Sequence, residues 1–505
     1  MKLSTSAALT LLCALAACSF TPVYKAPPSS APAPNTYQEA GDWKVAQPMD
    51  GESRGDWWTI FQDPDLNALE AKVGTANQNI KAALARLQQA RAQTRIQRAG
   101  LFPTLNLASS ATRGRVSPNS PRFPRGSETV GGNFDLEADL SYEFDVWGRV
   151  RNSVNSAKAS QQASAADLAT LNLSLHAELA TDYFTLRGQD AQQMLLDKTV
   201  EDYAKSLGLT QNLYNGGGAA SADVEQAKAQ LETARTQAAD TRLQRAQSEH
   251  AIAVLIGENP SAFHMDANPL PLDTPPPAVD VGLPSALLER RPDVAAAERR
   301  VAAANFNIGV ARAAYFPQFS LAASFGYDSV QSSNWLSAPS RMWSVGPSGL
   351  LTVFDAGRHR AQSDQAHAIF DEQVADYRNV VLTAYQEVED NLAALRQLQE
   401  ESVSQAAAVT ATGKALQQSQ YRYKAGLVTY LEVATNENAS LQAQLSKVNI
   451  QIRRMSASVL LVKALGGGWQ SEGRSAQTHA AIDGLGAPST AGQSPLMCSS
   501  TSPEV

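Results

Sequence analysis

A row of alternating acidic side chains is the most chemically informative feature of the sequence. Between Phe134 and Asp145 every second residue is acidic or Ser, and Phe, Leu, Ala and Tyr fill the positions between them. Such period-two alternation is typical of a β-strand with two different faces. Closely spaced carboxylates along a water-filled passage attract cations and repel anions. The acidic positions are Asp135, Glu137, Asp139, Glu143 and Asp145.

A strand with one acidic and one apolar face has two interpretations. In a soluble sheet the acidic face is in bulk water, whereas in a membrane barrel it lines the lumen and the apolar face contacts lipid. Five acids on one face are uncommon in a soluble sandwich, so the sequence favours the barrel and predicts a lumen-facing, cation-preferring surface. Trp147 follows the strand, at the position of an interfacial aromatic ring.

Cys18 is the second residue with predicted chemistry. Lys2 and the apolar run 7–17 form an export signal, which is too short for the ~20 residues of a membrane span. The run ends in Leu15-Ala16-Ala17-Cys18, which resembles a bacterial lipobox. The resemblance implies cleavage before Cys18, a diacylglyceryl thioether on its sulfur and an acyl chain on its amine, which together anchor the protein to a membrane. An ordinary signal peptide followed by an unrelated cysteine is the alternative.

The other reactive residues form no recognised catalytic or metal-binding pattern. The histidines lack metal-ligand spacing such as His-Glu-x-x-His, and Gly216-Gly217-Gly218 is not followed by the Gly-Lys-Ser/Thr of a phosphate loop. We therefore expect no enzymatic activity, no metal, and no cofactor other than the covalent lipid. Cys13 precedes the cleavage site and Cys498 lies in a polar tail, so no internal disulfide is predicted. A net charge of −7 disfavours a nucleic-acid partner.

The acidic strand lies within a defined order of helices and strands. A helix begins near Pro64, capped by Asp63 or Asp65, and ends before Leu101-Phe102-Pro103. A helix of some sixty residues follows the acidic strand. After a glycine break, a further helix is capped by Ser221 or Asp223. The predicted strands are 104–116 and 133–146, joined by the loop 117–132, and the long helices end near Tyr214 and at Ile256.

The same order then repeats. Tyr315-Phe316-Pro317 lies 214 residues after Leu101-Phe102-Pro103, and Tyr423 lies 209 residues after Tyr214. Apolar heptad positions of the long helices also match at an offset of 209 residues, which predicts a tandem duplication with coiled-coil packing. The second copy contains predicted strands 318–329 and 344–355. The matching heptad pairs are Leu179 and Val388, Leu186 and Leu395, Val200 and Val409, Leu207 and Leu416, and Tyr214 and Tyr423.

Composition and repeat together predict six segments. A Pro-, Ala- and Ser-rich tether follows Cys18, and a Pro-rich linker separates the two repeats. The C-terminal segment is Gly/Ser/Thr-rich without periodicity and is predicted to be disordered. The segments are 1–17, the signal peptide; 18–63, the anchor, tether and N-terminal equatorial segment; 64–257, the first repeat; 258–284, the equatorial linker; 285–468, the second repeat; and 469–505, the tail.

Each chain contributes only four predicted strands, so several chains must combine their strands into one barrel. Open strand edges cannot face lipid, and single-chain barrels need at least eight strands. Two chains would give eight strands, which fill their own interior, so a conduit favours three or more chains. The sixty-residue helices are each ~90 Å long, which is more than a globular core can cover.

The motifs at the boundaries carry a family resemblance. They are Trp57…Phe61…Asp63-Pro64…Leu66, the turn Arg290-Arg291-Pro292-Asp293-Val294, and the paired Phe-Pro and Phe-Asp…Gly-Arg boundaries. Residues 18–469 resemble the TolC-like outer-membrane efflux channels, in the NodT-type lipoprotein branch. The resemblance implies an α+β membrane protein that forms a homotrimer. Its twelve-strand barrel, with four strands from each chain, lies in the outer membrane over a periplasmic helical coiled-coil barrel. The implied partners are a periplasmic adaptor and an inner-membrane pump of the resistance-nodulation-division type.

The resemblance also assigns a gate to the helix tips at the periplasmic end. Leu431 matches an apolar ring position, but Thr435-Asn436-Glu437-Asn438 replaces the Asp-Ala-Gln-Arg run that is frequent in the family. Glu432 and Asp223 occupy corresponding positions and are the proposed substitutes for an acidic ring of six carboxylates in a trimer. Their alternative role is to cap helices.

Three functions remain to be compared. A passive exit duct for small molecules in an efflux assembly is the leading hypothesis. A duct for type I protein secretion is possible on the same fold. A structural coiled-coil periplasmic lipoprotein would have no barrel, which the alternation between 133 and 145 disfavours.

Overall fold

The computed structural model of the chain describes residues 21–27, 54–115, 117, 119, 130–279 and 290–467. The signal peptide, the predicted lipidation site Cys18, most of the tether and of the loop 117–132, and the tail 469–505 lie outside these residues. Within them, no helix is both long enough and apolar enough to cross a bilayer.

The first repeat contains four helices and two strands. A 3-10 segment, Arg54–Phe61, precedes them. The first helix was expected to be continuous but is interrupted at Asn77. Its ψ of 128° leaves the helical region, and its Oδ1 caps a new helix by accepting from Asn79 N–H and Ile80 N–H. The elements are α1 (Pro64–Ala76), α2 (Gln78–Ala99), β1 (Thr104–Arg115), β2 (Val130–Phe144), α3 (Arg149–Asn215) and α4 (Ser221–Leu255).

The second repeat has the same order with one helix before its strands. It consists of α5 (Pro292–Ala313), β3 (Gln318–Ser329), β4 (Arg341–Leu350), α6 (Arg358–Lys424) and α7 (Tyr430–Ala464). Both α3 and α6 have 67 residues, which corresponds to ~100 Å.

Glycines with positive φ mark equivalent chain breaks in the two repeats. Each pair is 209 residues apart, the offset of the heptad positions, and each residue adopts the left-handed conformation that favours glycine. These matches confirm the internal tandem repeat. The pairs are Gly148 (φ 76°) and Gly357 (87°), Gly217 (76°) and Gly426 (69°), and Gly257 (71°) and Gly466 (86°).

The four strands form one antiparallel sheet in the order β1-β2-β3-β4. Strand β4 begins at Arg341 and ends at Leu350, so the prediction of 344–355 was wrong at both ends. The pairing explains the difference, because β3 begins at Gln318, opposite Leu350, and provides no partner for residues 351–355. Gly326 is required inside the sheet, since a Cβ there would lie 2.2 Å from the Leu136 carbonyl oxygen.

The two largest apolar cores of the described residues share α7. The first core joins α1, α3 and α4, and the second joins α5 and α6. Met455 of α7 packs in the first core and Leu461 in the second. In each repeat a side chain near the start bonds the backbone at the end of the last helix. Asn77 donates to the Leu255 carbonyl at 2.7 Å, and Arg291 donates to the Ala464 carbonyl at 3.0 Å.

Candidate functional site

The acidic positions on β2 lie within a polar face that extends over neighbouring strands. Asp139 is opposite Asn106 of β1 and Ser324 of β3, and the Ser324 hydroxyl bonds that of Ser344 on β4 at 2.9 Å. The opposite face carries aromatic and aliphatic side chains. The sheet therefore has one polar and one apolar face, as the alternation predicted. Residues of the apolar face are Leu105, Leu107, Phe134, Leu136, Leu140, Phe319, Phe325, Trp343 and Val345.

Two of the five predicted acids have specific partners at the helical end of the sheet. Glu143 accepts from Arg149, whose Nη2 lies 2.5 Å from its Oε2. Asp145 lies one residue beyond the strand. Its carboxylate accepts from the backbone N–H groups of Val150 (2.9 Å) and Arg151 (2.8 Å) and caps α3. The acidic face of the strand itself thus ends at Glu143, and Asp145 belongs to the strand–helix turn.

One further acid lies on the polar face and was not predicted from the sequence. Asp328 of β3 is directly opposite Asp135. Two carboxylates in facing positions repel each other unless water or cations screen them. The signal was available, because Asp328 is the only acid in 318–329, but a single residue produces no alternation.

At the far end of the long helices, each repeat turns back through the same backbone motif. Gly218 N–H donates to the Leu213 carbonyl at 2.7 Å, and Leu427 N–H donates to the Arg422 carbonyl at 2.9 Å. Gly217 and Gly426 provide the left-handed residue that such a C-terminal cap requires. The two hairpin tips are therefore equivalent in backbone structure.

The three predicted gate residues lie at these tips in different environments. Leu431 is 62% exposed at the start of α7. Glu432 forms an ion pair with Arg422 at 2.7 Å. Asp223 accepts from Ala220 N–H at 3.3 Å, as a helix cap does, and the N-cap residue is Ala220 rather than Ser221. The two acidic side chains therefore also contact their own hairpins.

A buried polar cluster that was not predicted from the sequence joins the two hairpins near the tips. Tyr423 of α6 donates to Thr210 Oγ1 of α3 at 3.2 Å. Glu437 of α7 accepts from Ser206 of α3 and from Tyr430, both at 2.9 Å. Burial raises the pKa of the Glu437 carboxyl, although these two donors oppose the shift. The Tyr423–Thr210 and Ser206–Glu437 bonds thus connect the second hairpin to α3 near the tips.

The residues that follow Cys18 are fixed near the strand–helix junction. Thr21 donates to Asn152 at 2.6 Å, one turn into α3, and the Pro22 carbonyl accepts from Asn305 at 3.0 Å. Tyr24 donates to Glu298 at 2.5 Å. Thr21 is thereby attached close to the sheet, and Tyr24 is attached further from the sheet along α5.

A family model matches the chain in two segments. The model describes outer membrane efflux proteins and matches residues 69–258 and 283–467.

Curated relatives match over nearly the whole chain. The toluene efflux pump outer membrane protein TtgF of Pseudomonas putida is 33% identical over 92% of this chain and 96% of its own length. The outer membrane protein OprJ of Pseudomonas aeruginosa is 32% identical over 94% of this chain and 97% of its own length.

Solved structures share the fold. The outer-membrane channel OprN superposes with a TM-score of 0.82 at 32% identity. The superposition covers 90% of this chain and the whole of the OprN chain. The Neisseria gonorrhoeae MtrE outer membrane channel, solved in an open state, has a TM-score of 0.76 at 28% identity, with 90% of this chain and 99% of its own covered. The chain has the fold of the trimeric TolC-like outer-membrane channels. It is the outer-membrane exit component of an efflux system and belongs to the outer membrane efflux protein family.

Proposed function

We propose that this exit channel conducts small molecules passively from the periplasm to the exterior and is gated at its periplasmic helix tips. The observation that carries the proposal is that the sheet and the long helices are joined directly along the chain. A strand with one polar and one apolar face passes directly into a 67-residue helix that ends in a tip. Energy for transport would come from the partner proteins. We propose no catalytic activity.

The strand edges support assembly as a homotrimer. Within one chain β1 and β4 are the outer strands of the sheet, and one edge of each lacks a described partner. Such edges cannot face lipid, so β1 of one copy would pair with β4 of the next. Three copies then contribute twelve strands, which is enough for a water-filled lumen lined by Asp135, Glu137 and Asp139.

The tip residues support the gate. Three copies of Leu431, with the 71% exposed Leu427, would narrow the passage where the tips converge. Asp223 and Glu432 would add six carboxylates around the same axis. Opening by an iris-like movement of the second hairpin would break or rearrange the Tyr423–Thr210 and Ser206–Glu437 bonds.

The proposed partners follow from the efflux role. They are a periplasmic adaptor and an inner-membrane pump, with lipid on Cys18 as an outer-membrane anchor. The attachment of Thr21 close to the sheet supports this anchor, because it keeps Cys18 within a few residues of the membrane end. Relatives named for toluene and antibiotic efflux support small drugs or solvents as cargo.

Conductance of the purified full-length protein tests the function. Insertion into planar bilayers should give discrete, cation-preferring channels. In cells, deletion of the gene should increase susceptibility to the exported compounds, and re-expression should restore resistance. A structural coiled-coil lipoprotein would produce no channels. A protein-secretion duct would leave drug susceptibility unchanged and abolish export of a polypeptide.

A further inference from the structure

Arg454 of α7 is a buried cation without a described counter-charge. The residue is 8% exposed, and within the described part of the chain its guanidinium donates to two neutral amide oxygens, Gln451 Oε1 at 3.2 Å and Gln399 Oε1 at 2.5 Å. Among the described residues no carboxylate forms an ion pair with it. Burial accordingly lowers the pKa of this guanidinium. A buried charge without an opposite charge is strongly unfavourable.

The first repeat contains the same arginine with its counter-charges in place. Arg245 lies 209 residues before Arg454, at the equivalent position of the duplication. Its guanidinium bonds Asp190 at 2.6 Å and Glu249 at 3.1 Å. A third bond, to the Met265 carbonyl at 2.6 Å, connects this cluster to the linker between the repeats.

Both carboxylates are absent from the second repeat. The position equivalent to Asp190 is Gln399, and the position equivalent to Glu249 is Ser458. Ser458 is fully buried, and its hydroxyl has no hydrogen-bond partner among the described residues. The second repeat thus has the cation of the first repeat's ion-paired cluster without its two anions.

A cavity lies beside the unpaired guanidinium. It has a volume of about 340 Å³ and is lined by linker residues Leu272, Asp273 and Pro275 and by residues of α6 and α7 that include Arg454. Lys447 also lines it and pairs with Asp273 at 2.8 Å. Two of the five N–H donors of Arg454 have described partners, which leaves donors for a planar oxyanion.

We propose that the Arg454 cavity binds a carboxylate supplied from outside the chain, in place of the two carboxylates that the first repeat has and the second repeat lacks. The carboxylate would be that of a small organic anion or of an acidic side chain of a neighbouring copy. In either case it neutralises Arg454. It also adds to the attachment of the linker to α7, which here includes the Lys447–Asp273 pair and the bond from Gln451 Nε2 to the Thr274 carbonyl at 2.7 Å.

Thermal unfolding of the full-length protein in detergent tests the site, with malonate as the probe and chloride at equal ionic strength as the reference. Malonate should raise the Tm saturably, by roughly 3 °C or more. The R454M variant should lose the response. The Q399D variant restores an internal counter-charge, so it should have a higher Tm in chloride and no malonate response.

The first repeat provides the matched control. The double variant Asp190→Gln, Glu249→Ser reproduces the second repeat around Arg245 and should create a second malonate response. Gln399→Asp remains the deciding variant if this control is unstable.

The two sources of the carboxylate give different results. A malonate response in the wild-type protein indicates a free anion. A side chain of a neighbouring copy instead predicts no response in the wild type and dissociation of the assembly at lower detergent stress in R454M. The proposal is overturned if R454M matches the wild type in Tm and assembly, or if Q399D gains no stability.

Discussion

The phenol of Tyr423 on the second hairpin donates a hydrogen bond to Thr210 on the first, at 3.2 Å, close to the tips of both. The equivalent residue of the first repeat, Tyr214, is 44% exposed and has no described hydrogen bond through its hydroxyl. Two tyrosines at matching heptad positions therefore have different roles. Of these two tyrosines, Tyr423 is the one that connects the hairpins.

Replacing Tyr423 with Phe should make the channel leakier. Loss of one hydrogen bond shifts the equilibrium toward the open state by ~1 kcal/mol, or roughly fivefold. Uptake of a bulky antibiotic that is normally excluded by the outer membrane should rise in cells that produce Tyr423→Phe. The matched control is Tyr214→Phe, and equal leakage through both variants would exclude the hydrogen bond from gating.

Leu431→Ser should also increase leakage, because a polar side chain would remove the apolar constriction that we propose for the exposed Leu431 side chains of three copies. Susceptibility to the same bulky antibiotic measures the effect. Leu243→Ser is the control, since Leu243 is similarly exposed (55%) but lies along α4, away from the tip. Unchanged susceptibility at equal expression would remove Leu431 from the gate.

Neutralising the acidic face of β2 should reduce cation preference. The triple variant Asp135→Asn, Glu137→Gln, Asp139→Asn removes three negative charges per chain from the proposed lumen, and its reversal potential in a KCl gradient should move toward that of an unselective pore. The charge-conserving variant Asp135→Glu, Glu137→Asp, Asp139→Glu should behave as the wild type. A chloride-preferring wild-type channel would place this face outside the lumen.

The buried pair of Glu70 and His176 predicts a pH dependence of stability. Glu70 Oε2 lies 2.5 Å from His176 Nδ1, and burial raises the pKa of the Glu70 carboxyl from 4.5 to about 7. The folded state therefore holds a proton that the unfolded state releases, and stability falls as the pH rises from about 4.5 through 7.

Thermal unfolding between pH 5 and 8 measures this effect. Glu70→Gln should flatten the decline in Tm. Burial and the neighbouring Glu178 raise the pKa of Asp182 to about 6. In Glu70→Gln, Asp182 should therefore leave a smaller decline of Tm with rising pH. The control is Glu258→Gln, because Glu258 forms an exposed pair with Lys72. An unchanged slope in Glu70→Gln would show that Glu70 is ionised throughout this range.

Periodic features of the fold were predictable from the sequence, whereas features that depend on single side chains were not. The heptad offset of 209 residues placed the two repeats in register, and alternation placed β2 within three residues of its observed start. Asn77 interrupts the first helix because its side chain caps a new one, and no periodicity changes there. Strand β4 was misplaced because its limits are set by pairing with β3.

The candidate site was predictable only in part for the same reason. The acidic face of β2 was visible because its residues alternate, but Asp145 caps α3 through a turn that only the structure shows. Glu437 lies in the run 435–438, which lacks the acid that the family resemblance implies at its first position. Its burial between Tyr430 and Ser206 depends on the packing of α7 against α3. Contacts between distant segments carry no local signal in the sequence.

The central claim is that chains pool their four strands into one channel. Native mass spectrometry of the full-length protein, released from detergent micelles, measures the number of chains directly. The account predicts three chains in a single complex. A single folded chain, with β1 and β4 unpaired at its edges, would contradict it.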